Sequence, residues 1–229
     1  MKDHYLLLIA LGLSVAASYA AYVTAPADAV AGDMYRILYI HVPSAWVCYL
    51  AFSVSVLTSI LFLVRRDQVY DTTAEISAVF GLVYGAVALL TGSVWAHAAW
   101  GSYWNWDPRE TTTLILWIAY LGYISLRQST GDTGRRQVIG AVYNIFAFLT
   151  VPLSYLSIIL IPTLHPQIVS MSGFSLSLPM LATLLISLVA ATLLFVCLVR
   201  MASAVRDLEG KVDALLCLQE EQRGDTDHA

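Results

Sequence analysis

Two sets of residues in this chain could do chemistry. The first is WGSYWNWDPRE, residues 100–110, which gathers three of six tryptophans, a tyrosine, two acids and an arginine. The second is a set of histidines: His41, His97 and His165 stand at the ends of apolar runs, while His4 and His228 are terminal. Indole and phenol rings stack on flat apolar ligands, and indole N–H groups and a guanidinium donate to anionic edges. Imidazole is the commonest protein ligand to metals and holds axial positions on haem iron.

The tryptophan stretch carries its own folding signals. Asp107-Pro108 reads as a helix start, with Asp as N-cap and Pro at the first helical position. Glu110 follows at the spacing of a capping box, and Thr111, Thr112 and Thr113 give the new helix a polar outer end. Its N-terminal dipole and free N–H groups then face the rings, where a flat ligand with carboxylates would fit. A plain interfacial aromatic belt accounts for Trp46, Trp95 and Trp117. It accounts less well for Trp100, Tyr103, Trp104 and Trp106 interleaved with Gly101, Asn105 and Asp107. His41 (His41-Val42-Pro43) and His165 (Pro162…His165-Pro166) each lie beside proline, which stiffens the backbone, so the pair could flank one ligand. His97, preceded by Trp95 and Ala96, reads as a helix end.

The elements that must position these groups follow from composition. The chain has 229 residues, 59% apolar and 12% charged, and its mean hydropathy is +0.71. Soluble domains carry about twice that charge. Continuous rather than alternating apolar runs point to membrane helices. Six spans are predicted, at roughly 5–23, 42–64, 74–97, 110–127, 137–160 and 178–200. Lys2, Arg65, Arg66, Arg127, Arg135, Arg136, Arg200, Arg206, Lys211 and Arg223 fall on one side, and only Arg36 and Arg109 on the other. That bias places both termini in the cytoplasm and the loops 24–41, 98–109 and 161–177 outside. Glu75 reads as interfacial, at the cytoplasmic end of the third span. The expectation is an all-α integral membrane bundle over 1–200 with a cytoplasmic amphipathic tail over 201–229. In that tail Leu208, Val212, Leu215 and Leu216 share a helical face. Cys48, Cys197 and Cys217 have no paired spacing. No Gly-x-x-x-x-Gly-Lys loop is present, so any ATP chemistry belongs to a partner.

On these residues the chain resembles the haem exporter protein C (CcmC) family of system I cytochrome c maturation. WGSYWNWDPRE is similar to the tryptophan-rich WWD signature of the haem-handling superfamily, here the 95–110 segment between spans three and four. GDMYRILYIHVPSAW, residues 32–46, and IPTLHPQ, residues 161–167, are similar to the segments that bear the family's two outward histidines. The likeness covers about residues 30–200. It implies a haem-binding and delivery protein rather than an enzyme, set in the cytoplasmic (inner) membrane. Haem b would lie on the outer face, with His41 and His165 as axial ligands. Trp100, Trp104, Trp106 and Asp107 would belong to the haem-contacting motif, with Trp95 on the approach and Tyr103 among the rings. The implied partners are the haem chaperone CcmE, the ATP-binding cassette pair CcmA and CcmB, and CcmD, with no nucleic acid. Arg109 and Arg36, the outward cations, are candidates for the propionates. Asp107, itself negative, is expected to shape the loop. WNWDPRE also fits the synthase relatives CcmF and CcsA, which attach haem to apocytochrome. The chain's length and its lack of mid-span histidines favour the exporter branch.

Overall fold

The computed structural model of the chain describes residues 2–28, 32–166, 169–170, 173–174 and 176–227. His228 and Gln167 lie outside them. The fold is an all-α membrane bundle: α1 (Lys2–Tyr19, prolonged by a π-helical turn Ala20–Thr24), α2 (Leu38–Arg65, preceded by a 3-10 turn Asp33–Ile37), α3 (Gln68–Trp100), α4 (Pro108–Ser129), α5 (Thr133–Phe148), α6 (Thr150–Leu160) and α7 (Leu178–Asp227). A two-residue antiparallel pair, Val169–Ser170 with Gly173–Phe174, lies between α6 and α7.

Five stretches are long and apolar enough to cross a bilayer: His4–Thr24, Asp33–Arg65, Gln68–Trp100, Thr133–Leu160 and Leu178–Glu220. The predicted fourth span, α4, has 22 residues and is about 33 Å long. Its length suffices for a crossing, but it is more polar than the others. It begins with a threonine run, and it also carries Leu116, Tyr120 and Tyr123, all fully buried. The predicted fifth span is two helices, α5 and α6, divided at Leu149. Pro152 supplies no N–H to the turn and its ring crowds the carbonyl one turn back, and the Leu149 N–H bonds Phe146 O instead. The tail is not a separate helix. α7 runs through Arg200 without a break, and every residue from Ala204 to Glu220 is exposed.

Helices α2 and α3 form the centre, joined by a tight turn in which Arg66 takes a left-handed φ of 58° and Asp67 caps α3 through the Val69 N–H. Small residues let them approach closely, as membrane helices require when lipid offers no hydrophobic drive for association. The Phe52 ring lies where a Cβ on Gly81 would come within 2.5 Å, and it stacks on Tyr120 at 3.6 Å.

At the end of the bundle away from the tryptophans, a charge cluster is buried. Arg127, 2% exposed, forks onto Asp71 at 2.7 and 2.9 Å and reaches Glu75 at 3.0 Å. Glu75 is the third member of this cluster, 28% exposed at its side chain. Gly140 leaves room for the guanidinium, because a Cβ there would lie 3.0 Å from it. Nearby, the Asn144 amide donates to Ser55 and Ser59 at 2.7 and 2.8 Å, so polar groups inside the bundle pair with one another.

Removing one partner of such a cluster leaves buried charge uncompensated. Arg127→Met is expected to destabilise the fold by about 3–5 kcal/mol. Adding Asp71→Leu and Glu75→Leu to it should recover most of that loss. Both effects are read as unfolding of the detergent-solubilised protein followed by circular dichroism.

Candidate cofactor site

The opposite end of the bundle holds a cleft between α2, α3, α4 and the chain after α6. On α3, Gly85, Ala88, Gly92 and Trp95 recur at helical spacing and line one wall, about 15 Å long. The facing stripe on α2 runs through His41, Ala45 and Cys48. The free volume inside the cleft is about 100 Å³.

His41 sits in the first turns of α2. A Cβ at Gly92 would stand 2.9 Å from His41 Cε1, so the absence of one is what admits the ring. Its Nδ1 lies 3.0 Å from the Ala88 carbonyl and 3.2 Å from the Thr91 hydroxyl. A carbonyl only accepts, so Nδ1 carries the proton and Nε2 keeps the lone pair. His165 Nδ1 lies 3.1 Å from its neighbour's carbonyl at Pro166, with the same consequence. The two ring centroids are 6.3 Å apart and tilted by 37°. Imidazoles on opposite sides of one metal ion, each bonded at about 2 Å, have centroids roughly 6 Å apart. The pair, brought together from positions 41 and 165, has a centroid separation of that size. Burial and the Arg109 charge hold the His165 pKa below its usual 6.5, favouring the neutral form that can ligate.

The helix start read at Asp107 is present. Asp107 Oδ1 accepts the Arg109 N–H at 2.9 Å and Thr111 N–H reaches its carbonyl at 2.9 Å. No capping box forms, because the Glu110 carboxylate accepts the Asn105 N–H at 2.9 Å, two residues before the cap. The Asp107 carboxylate turns instead to the chain after α6. It accepts the Thr163 hydroxyl at 2.7 and 2.8 Å and the Leu164 N–H at 2.7 Å. Burial alone would raise its pKa, but these donors and the Arg109 amide outweigh it and hold the carboxyl below the ordinary carboxylate value.

The other expected residues divide. Trp95, Trp100, Trp104, Asp107 and Arg109 line the cleft with both histidines. Trp95 and Trp100 meet edge to face at 5.1 Å, and Trp104 Nε1 is buried without a partner among the described residues, a donor open to a ligand's acceptor. Tyr103 and Trp106 are off the lining, 57% and 72% exposed. Tyr103 stacks on His97 at 4.1 Å. Trp106 holds a left-handed φ of 56°, which turns its ring outward while Trp104 faces in, the two meeting edge to face at 5.8 Å. Arg36 is also off the lining. It clamps the end of α1, donating to the Ala21 and Ala25 carbonyls and pairing with Asp33.

Arg109 reaches down to the cleft floor. It donates to Ser154 O at 2.7 Å and lies 5.6 Å from the Tyr49 ring centroid. The Tyr49 and Thr113 hydroxyls both meet Ser154 Oγ at 3.0 Å. Tyr49 and the stripe of Gly85, Ala88 and Gly92 were missed in the sequence. The helical spacing of those small residues below Trp95 was the available signal.

With this geometry in hand, comparison with known proteins is specific. A family model described as Heme exporter protein C matches residues 3–216. The chain is similar to the heme exporter protein C of Bradyrhizobium diazoefficiens, 35% identical over 215 residues that make up 93% of this chain and 80% of that protein. It is similar to the heme exporter protein C of Escherichia coli, 32% identical over 142 residues, 62% of this chain and 58% of that one. A stretch of 85 residues, 37% of this chain and 27% of the other, is 40% identical to the cytochrome c biogenesis protein CcsA of a Synechococcus strain.

Gly92→Ala should drive a methyl into the His41 ring. Overpacking of this kind costs about 1–3 kcal/mol, which should appear as a lowered midpoint in a denaturant titration of the detergent-solubilised protein followed by circular dichroism. Gly12→Ala, where nothing lies within 4 Å, should leave the titration unchanged.

Proposed function

The chain belongs to the Heme exporter protein C family, and from that premise we propose that it holds haem b in the cleft between His41 and His165 and hands it on during cytochrome c maturation. The observation that carries this reading is the histidine pair, 6.3 Å apart with each Nδ1 committed to a carbonyl. When bound, haem would supply an iron that the Nε2 atoms of His41 and His165 would hold.

The residues divide the work. Ala88 and Thr91 orient His41, and Pro166 orients His165. Trp95, Trp100 and Trp104 offer rings and one free indole N–H to a flat ligand. Arg109, anchored by one nitrogen at the floor, holds cationic charge for a carboxylate. Asp107 does not face the ligand's anionic edge. Its oxygens are taken by the α4 amide and the Thr163 and Leu164 donors, a shaping role.

In this reading the protein is a multi-pass component of the cytoplasmic membrane with both termini inside and the cleft outside. It gives haem to the chaperone CcmE, in complex with the CcmA–CcmB ATP-binding cassette pair and CcmD. His165 sits on a loop whereas His41 is held in a helix, so His165 is the residue that would let go when haem is handed on. The lyase reading, similar to CcsA and CcmF, rests on the 40% identity over 85 residues. A covalent haem adduct on apocytochrome, formed by this protein alone, would favour it.

The principal test is the absorption spectrum of the detergent-purified protein reconstituted with haem. The parent should show a six-coordinate low-spin spectrum, and His41→Ala and His165→Ala should each change it. An unchanged spectrum in both would place the iron elsewhere. Because the His165 pKa lies below 6.5, the proton competes with iron only on the acid side. The spectrum should therefore hold from about pH 8 to 7 and convert as pH falls well below 6.5. Orientation has its own probe: Cys217 is exposed while Cys48 and Cys197 are buried. A membrane-impermeant maleimide should label Cys217 in inverted vesicles and not in intact cells.

A further inference from the structure

Residues 161–166 carry His165 but have little apolar anchorage. Ile161 is 45% and Leu164 58% exposed, and Pro162 and Pro166 have no N–H to offer. The Ile161 N–H closes α6 on Ser157 O. Among the described residues, the hydrogen bonds from 162–166 to another element end on one carboxylate, that of Asp107. Thr163 is the centre of this attachment. Its hydroxyl donates to Asp107 at 2.7 and 2.8 Å, and the same oxygen accepts the His165 N–H at 3.1 Å. The link from the α4 N-cap to the second histidine is therefore two hydrogen bonds long and passes through one side chain.

We propose that Thr163 is a positioning residue for haem ligation, transmitting the location of the Asp107 carboxylate to the backbone of His165. The inference rests on the ligand reading given under Proposed function. Thr163 does not line the cleft and acts through Asp107 and the His165 backbone. Its effect is on how long the His165 ring stays in line with His41. The same arrangement explains why an acid stands at the end of the tryptophan stretch. A carboxylate accepts from the α4 amide, the Thr163 hydroxyl and the Leu164 amide together. An asparagine at 107 would turn an N–H group towards one of these donors.

The test compares Thr163→Val, which keeps the shape and removes the hydroxyl, with Thr163→Ser, which restores it. Both are reconstituted with haem beside the parent and His165→Ala, and each is titrated with free imidazole. Thr163→Val should raise the high-spin fraction and let imidazole displace His165 at roughly tenfold lower concentration, while Thr163→Ser behaves like the parent. If Thr163→Val matches the parent in both readouts while His165→Ala does not, the inference is overturned and the ligand reading stands. If His165→Ala also leaves the spectrum unchanged, the ligand reading itself fails. Should Thr163→Val not fold, Thr163→Ala and Asp107→Asn take its place. A parent-like spectrum and imidazole titration in both would equally overturn the inference.

Discussion

The carboxylate of Asp107 is where three parts of the molecule meet. It caps α4 through the Arg109 amide, and it receives the Thr163 hydroxyl and the Leu164 amide from the chain that carries His165. Charge-assisted bonds of 2.7–2.9 Å are the strong kind, and here they hold the acid ionised despite partial burial. Because α4 starts at that point, the same residue sets where Arg109 begins its descent to the cleft floor and where Trp104 is left facing inward.

The other half of the site depends on close packing between α2 and α3. Glycine and alanine at 85, 88 and 92 leave a trough along α3, and His41 occupies its upper part against the Ala88 carbonyl. One histidine is thus set by helix packing and the other by a polar loop attachment. That difference makes the pair unequal: His41 is fixed within α2, while His165 stands on the chain after α6. At the far end the Asp71–Glu75–Arg127 cluster and the Asn144–Ser55–Ser59 group tie α2, α3, α4 and α5 together without entering the cleft.

Much of this was legible in the residues themselves. Apolar run lengths and the rarity of charge reveal a helical membrane chain, because a bilayer admits few ways of satisfying a backbone. Asp107-Pro108 marks a helix start through rules that act within one turn. WGSYWNWDPRE with His41 and His165 is specific enough in type and order to indicate the family. Local rules also misled where side chains had a choice of partner. Glu110 has the spacing of a capping box yet bonds Asn105, and Pro152 divides a run that hydropathy reads as one span.

What only the tertiary structure decided are the pairings between residues far apart in sequence. Asp71 with Arg127 and Asp107 with Thr163 are each separated by 56 positions, and no periodicity encodes which acid meets which donor. The same holds for the choice among aromatic and cationic neighbours. Trp104 turns in and Trp106 out, Arg109 enters the cleft, and Arg36 is spent on the end of α1. The sequence by itself determined the class of chain, the helix start at Asp107 and the chemical inventory of the site, since these follow from hydrophobicity and short-range hydrogen bonding. Which members of that inventory share one cavity depends on how seven helices cross, and that is set by packing summed over the whole bundle.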